Sequence, residues 1–250
     1  MNLTETILRQ GLAAPDRLAF SVLGLSRADR WSHARLRAAV LAMAGALTDA
    51  GFADGEALPL PPVQDPAFVV TFLAAIAAGR VPDLTAPEAC PLPPAPGQSA
   101  QGFAQGFAKG AATRAACIGP QGAIPHSALA SRTAALTGRG LISPPDRVLL
   151  AKGLAPPPLH EFGLIETLAL GASALVPAAG IQPVQIPLLA ARHGATLIAA
   201  RASTLRGILA APSPGWAGLR LALVTDRADP DLAANWQEQT GTPLHSLDAA

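Results

Sequence analysis

The stretch "SALVPAAGIQPVQIPLLAARHGATLIAA", Ser173–Ala200, holds two short apolar runs, "SALVP" and "ATLIAA", on either side of a helical piece, "VQIPLLAARHG". A strand, a helix and a second strand in that order describe a crossover, which returns the chain to the same edge of a sheet and leaves the strands parallel. The pattern continues outward. Before it come "RAACIG", "HSALASRTAALTG", "DRVLLAKG" and "HEFGLIETLALG"; after it come "STLRGILAAP", "LRLALVTD" and "DPDLAANWQEQTG". Strand-like and helix-like pieces alternate throughout, so the fold class is α/β, with mainly parallel sheets flanked by helices.

Upstream, Ser32 is placed to cap a helix on which Leu36, Val40, Ala44 and Leu47 recur at helical spacing, with Gly51 as the stop. This helix is expected to cover a sheet. Asp65 and Pro66 open a second helix that ends at Gly79, and "VPDL" then returns to a sheet. Between Thr85 and Gly110 the composition turns to proline, glycine, alanine and glutamine, with "QGFA" in tandem, which reads as a linker or loop. The predicted organisation is a first α/β segment over 1–84, a linker over 85–110 and a second α/β segment over 111–250.

The chain has 250 residues, of which 50% are hydrophobic and 14% charged, with a net charge of +1. A sizeable core can be buried, and no charge excess points to nucleic acid or an anionic membrane. The apolar runs are shut off by Asp65 and Arg80, or interrupted by Glu166, before they reach the length of a membrane span. The opening "MNLTETILRQ" has no basic and then apolar pattern, so a cytoplasmic location is expected. Cys90 and Cys117 lie far apart and read as plain thiols, Cys117 in the core.

"TRAACIGPQGAIPHSAL", Thr113–Leu129, has the outline of a phosphate loop. Such a loop needs inward N–H groups, hydroxyls beside them and a lysine as a point charge. Here Gly119, Pro120, Gln121 and Gly122 supply the glycines and the proline, but neither hydroxyl nor lysine. A simple turn and a weak backbone site for phosphate both remain open. His126 and Ser127 fit the start of a helix, and no G-x-S-x-G elbow supports a Ser-His nucleophile. His33, His193 and His245 have no spacing suited to a metal, so none is expected. Lys109 and Lys152 are the only lysines, and both read as solvated side chains.

Taken in order, "APDRLAF", "WSHARLRAAVLAMAGALTDAGFADGEAL", "DPAFVVTFLAAIAAGRVPDL", "PPLHEFGLIETLALGASALV", "LLAARHGATLIAARASTLRGILAAP" and "LRLALVTDRADPDLAANWQEQTGTPL" resemble the N-terminal core of the AMP-forming acid-activating superfamily, which includes acyl-CoA synthetases and peptide-synthetase adenylation domains. The resemblance implies that fold without the C-terminal lid domain. The family's phosphate loop reads approximately Ser-Gly-Thr-Thr-Gly-x-Pro-Lys-Gly, then a short strand and a His. Aligned on Pro120 and Gly122, the chain puts Gln121 at the lysine, or else has lost the loop after Ile118. His160 matches a histidine between the acid pocket and the nucleotide, and Gly163 a pocket glycine; a loop or capping histidine is the other reading of His160. Thr225, Asp226 and Arg227 stand where the family has a glycine-rich turn against adenine. "HSLDAA" stands where the metal-binding Thr-Glu pair is expected.

The resemblance and these departures from it together imply a diverged acid or acyl-CoA synthetase-like protein with no catalytic residue and no required cofactor, expected to act as a binding or interaction protein. Weak binding of ATP, AMP or acyl-CoA, and a carboxylic acid or acyl ligand, stay open. A protein partner or a second copy is expected to cover the cleft. The alternative is one half of a split ligase completed by a second chain.

Overall fold

A computed structural model describes residues 3–91, 115–120, 122–152, 163–210, 216–227 and 229–247. In chain order these form α1 (Leu3–Ala13), β1 (Leu18–Leu23), β2 (Ala28–Ser32), α2 (His33–Asp49), β3 (Ala57–Pro59), α3 (Pro66–Ala77), β4 (Val81–Asp83), β5 (Ala115–Gly119), β6 (Gly122–Pro125) and α4 (His126–Gly138). There follow β7 (Arg147–Leu150), α5 (Leu164–Ala169), β8 (Ser173–Pro177), a 3₁₀ turn (Pro183–Gln185), α6 (Ile186–His193), β9 (Leu197–Ala200), α7 (Ala202–Leu209), β10 (Leu221–Val224), α8 (Pro230–Thr240) and β11 (Leu244–Ser246).

Two compact units divide the chain, one of Met1–Ala19 with Trp31–Leu141, the other of Phe20–Arg30 with Ile142–Ala250. They cut across the segments expected from composition, because the β1–β2 hairpin leaves the first unit to join the sheet of the second.

In the first unit a four-stranded sheet runs in the order β3-β4-β5-β6, parallel except for the β5–β6 hairpin. Its helices form where the caps require. The Ser32 hydroxyl accepts from the Arg35 N–H at 3.2 Å to start α2, and the Asp65 carboxylate accepts from the Ala67 N–H at 2.6 Å to start α3 behind Pro66. Every residue of α3 from Phe68 to Ala77 is buried, the mark of a helix enclosed on all sides. α2 buries Leu36, Val40, Met43, Ala44 and Leu47, and its chief neighbours are α3 and α1 rather than a strand. α1, not expected from the sequence, is fixed to α3 by the Thr4 hydroxyl donating to the Leu73 carbonyl at 3.0 Å. A methyl group at Gly11 would stand 2.7 Å from the His33 Cβ, so glycine is what lets α1 approach there. Residues 85–91 of the expected linker stay with this unit. Thr85 donates twice to the Asp83 carboxylate and the Cys90 N–H donates to the Pro59 carbonyl at 3.1 Å, while residues 92–114 lie outside the described residues.

In the second unit a seven-stranded sheet runs in the order β11-β10-β9-β7-β8-β1-β2. Its ladders from β11 to β1 are parallel. β2 follows β1 through a short connection in which the Gly24 N–H donates to the Arg27 carbonyl at 2.8 Å. The central strands are buried on both faces, as β8, β9 and β10 show, which is why they read as unbroken apolar runs. Asp229 caps α8 by accepting from the Leu232 N–H at 2.7 Å, with Pro230 next in line. Fully buried Trp236 donates to the Thr242 hydroxyl at 3.1 Å and stands 5.6 Å from the ring of Trp216. Among the described residues, no helix is long and apolar enough to cross a membrane.

Candidate functional site

The sequence singles out two places, one in each unit. In the first, β5 and β6 pair antiparallel with Gly119 opposite Gly122, so Pro120 and Gln121 alone connect them. Gln121 itself lies outside the described residues. Gly122 has φ +105°, a conformation that only glycine adopts readily and that lets so tight a connection re-enter the ladder. Cys117 and Ile124 are register partners, both buried as expected of the core thiol. The short strand that the resemblance places after the loop is β6. The residue behind it, His126, is the first of α4 and is buried, with Pro125 at the cap position. His126 is thus inside the helix, and Ser127 is exposed on it.

In the second unit the chain passes from β7 to β8 on one side, then crosses back to β9 on the other side of β7. Such a reversal opens a crevice at the carboxyl ends of the two strands flanking it, the usual ligand position in an open α/β sheet. Here those ends are Leu150 and Ala200, joined just beyond by the Ala151 N–H donating to the Ala199 carbonyl at 2.9 Å. The connection leaving β7 there runs through 153–162, outside the described residues, and includes His160. It re-emerges at Gly163, the cap residue of α5.

Gly163 is occupied with starting that helix. Its N–H donates to the Glu166 carboxylate at 3.0 Å, and its carbonyl accepts from the Thr167 hydroxyl at 2.9 Å. Its φ of −156° is extended backbone open to any residue, so the backbone itself makes no demand for glycine. Glu166, which the sequence shows only as a polar break in an apolar run, is fully buried with Thr167. The signal that could have found it is the spacing of an acid three residues after the helix cap.

At the carboxyl end of β10, Thr225 is buried and its N–H donates to the Ala200 carbonyl at 2.9 Å. Asp226 turns back, and its carboxylate accepts from the Ala202 N–H, the first amide of α7, at 2.7 Å. The turn that resemblance sets against adenine is therefore closed on its own neighbours and carries an acid.

Among the described residues, a dense polar cluster lies at the opposite, amino-terminal edge of this sheet. The Asp146 carboxylate accepts from the Ser143 N–H and hydroxyl at 2.7 Å each, from the Thr196 hydroxyl at 2.8 Å and from Arg220 at 2.9 and 2.5 Å. Burial pushes this carboxyl up, but the hydrogen bonds from Arg220, Ser143 and Thr196 outweigh it and hold its pKa at about 2. It ties the starts of β7, β9 and β10 together and was not expected from the sequence. A groove of about 380 Å³ between α7 and α8 is lined by Arg206, Asp229, Asp231, Asn235 and Gln239 among others; Arg206 pairs with Asp229, which also caps α8. No group of three or more His, Cys, Asp or Glu side chains among the described residues is placed to hold a metal.

No protein-family profile matches the chain, and no curated protein matches it. Solved structures do. The nonribosomal peptide synthetase FmoA3 (S1046A) is similar over 98% of this chain and 31% of its own, with a TM-score of 0.81 and 18% identity. The benzoate CoA ligase from Burkholderia xenovorans LB400 is similar over 98% of this chain and 60% of its own, with a TM-score of 0.80 and 18% identity. The fatty acyl-adenylate ligase from L. pneumophila is similar over 95% of this chain and 52% of its own, with a TM-score of 0.74 and 11% identity. The fold is thus that of the AMP-forming adenylate ligases. The chain spans less than two thirds of each of these three.

Proposed function

We propose that this chain is a diverged adenylate-ligase core that does not activate acids by itself and acts as a cytoplasmic binding or interaction protein. The observation that carries this reading is the pairing of Gly119 with Gly122. A phosphate cradle is built from several consecutive N–H groups turned inward. A two-residue connection that begins with proline, which has no N–H, offers too few, and the sequence there supplies neither lysine nor hydroxyl. Asp226 supports the same reading, since a carboxylate stands at the turn opposite the family's adenine. Removing one transition-state donor commonly costs about 10² to 10³ in rate, so the joint loss leaves no useful adenylation. Binding of ATP, AMP or acyl-CoA, if retained, is weak on this reading, and a carboxylic acid or acyl group is the ligand class that the scaffold suggests.

The test is acid-dependent exchange of pyrophosphate into ATP by the purified chain, over a broad panel of carboxylic acids. We expect none above the buffer blank, and none in Gln121→Lys, because a point charge without a cradle has no phosphate to act on. Exchange by the unaltered chain would overturn the reading. A second reading is one half of a split ligase, completed by a second chain. Exchange that appears only when the product of an adjacent reading frame is added would establish it.

A further inference from the structure

We propose that the outer face of the 3₁₀ turn and α6, continued by the tip of the β1–β2 hairpin, docks an acidic amphipathic helix of a partner protein. This deepens the interaction reading above and rests on it for the existence of a partner.

Large apolar side chains are exposed at five described positions, and three of them gather here: Val184 (54%), Leu188 (44%) and Leu25 (44%). Val184, in the 3₁₀ turn, and Leu188, in α6, are four residues apart and both exposed, so the apolar stripe runs from the turn onto the helix. Arg192 is the next residue on that stripe. Its guanidinium donates to the Leu25 carbonyl, which holds the hairpin tip beside the last turn of α6. An apolar stripe at helical spacing with a cationic end is the complement of a helix carrying leucines on one face and acids beside them.

The basic end is broader than a helix terminus requires. The cation in the last turn of α6, Arg192, is explained by the helix dipole. Arg30 and Arg147 come from strands, yet both act on the His193 imidazole together with Arg192. Burial, then the charges of these three guanidiniums, hold that imidazole below its ordinary pKa. Arg147 and Arg192 are steadied by carbonyls, those of His193 at 3.1 Å and of Leu25, and a carbonyl anchor fixes a guanidinium without neutralising it.

The experiment uses the full chain and a fluorescein-labelled peptide of roughly five helical turns, with leucines every three or four residues and glutamates flanking them. The control is a scramble of equal composition that lacks the stripe. Fluorescence anisotropy should show saturable binding of the striped peptide, at least about tenfold tighter than the scramble, weakened by salt, lost in Leu188→Glu and Arg192→Glu, and kept in Leu188→Met. Should Leu188→Glu not fold, judged by circular dichroism, Val184→Glu takes its place. No binding, equal binding of the scramble, or indifference to the substitutions overturns the proposal. So does concentration-dependent self-association abolished by the same substitutions, which would assign the face to a second copy. A chain active in pyrophosphate exchange would sink the functional reading and leave this result standing, whereas failed docking by an inactive chain would sink the docking surface alone.

Discussion

His33 is the first residue of α2, 2% exposed, and close enough to α1 that only glycine fits opposite it. Burial and then the charge of Arg17 hold its pKa down at about 4, so it is neutral in the folded chain at neutral pH. The unfolded chain binds a proton at ordinary histidine pKa, about 6.5, while the folded one does not. Stability is therefore lost as pH falls from 6.5 to about 4. Asp146 acts in a lower window: its folded pKa of about 2 lies below the ordinary 3.8, so its contribution is present above 3.8 and disappears as pH falls towards 2. Urea midpoints across pH should therefore fall in two steps, and His33→Gln should flatten the upper one relative to the parent chain. An unchanged slope between pH 6.5 and 4 in that variant would contradict the assignment. Neither role is legible in the sequence, because Thr196 and Arg220 stand 50 and 74 residues from Asp146 and burial beside α1 leaves no local mark.

Elements were legible where their ends carry chemistry. Ser32 and Asp65 each cap a helix as expected, Asp229 caps α8, Asp65 and Asp229 are each followed by proline, and Gly51 and Gly79 take the positive φ that ends the first two helices. Asp65→Ala should lower stability by about 1 kcal/mol, the usual value of a hydrogen-bonded cap. A urea midpoint unchanged in that variant would mean that the Ala67 amide finds another acceptor. The buried parallel strands were equally plain, since enclosure on both faces demands continuous apolar runs. The missed pieces lack these signs. β2, "ADRWS", is the last strand of its sheet and half exposed, so its residues are those of a loop, and β11 spans only three residues. α1 lacks the Asp-Pro opening that marks α3 and α8.

At the scale of the molecule, the parallel order and the crossovers follow from local alternation, but the division into units does not. Phe20 pairs with Ala174, and nothing in the first segment announces a partner so distant. What the sequence shows of the candidate site is that Thr113–Leu129 holds no lysine and that Gly119–Gly122 holds no hydroxyl, whereas the pairing of Gly119 with Gly122 and the turning back of Asp226 needed the structure. The core consists of apolar strands and helices, and exposed Pro120, in the connection between β5 and β6, does not help to bury them. Scaffold and phosphate chemistry are separable on this view, and the Gly119 and Gly122 amides report on that separation most directly. Titrating the isotope-labelled chain with Mg·ATP and with pyrophosphate, followed by amide nuclear magnetic resonance, should leave both glycine signals without saturable shifts. Saturable shifts of the two, with the same midpoint for both, would show that the turn receives phosphate and would contradict the separation.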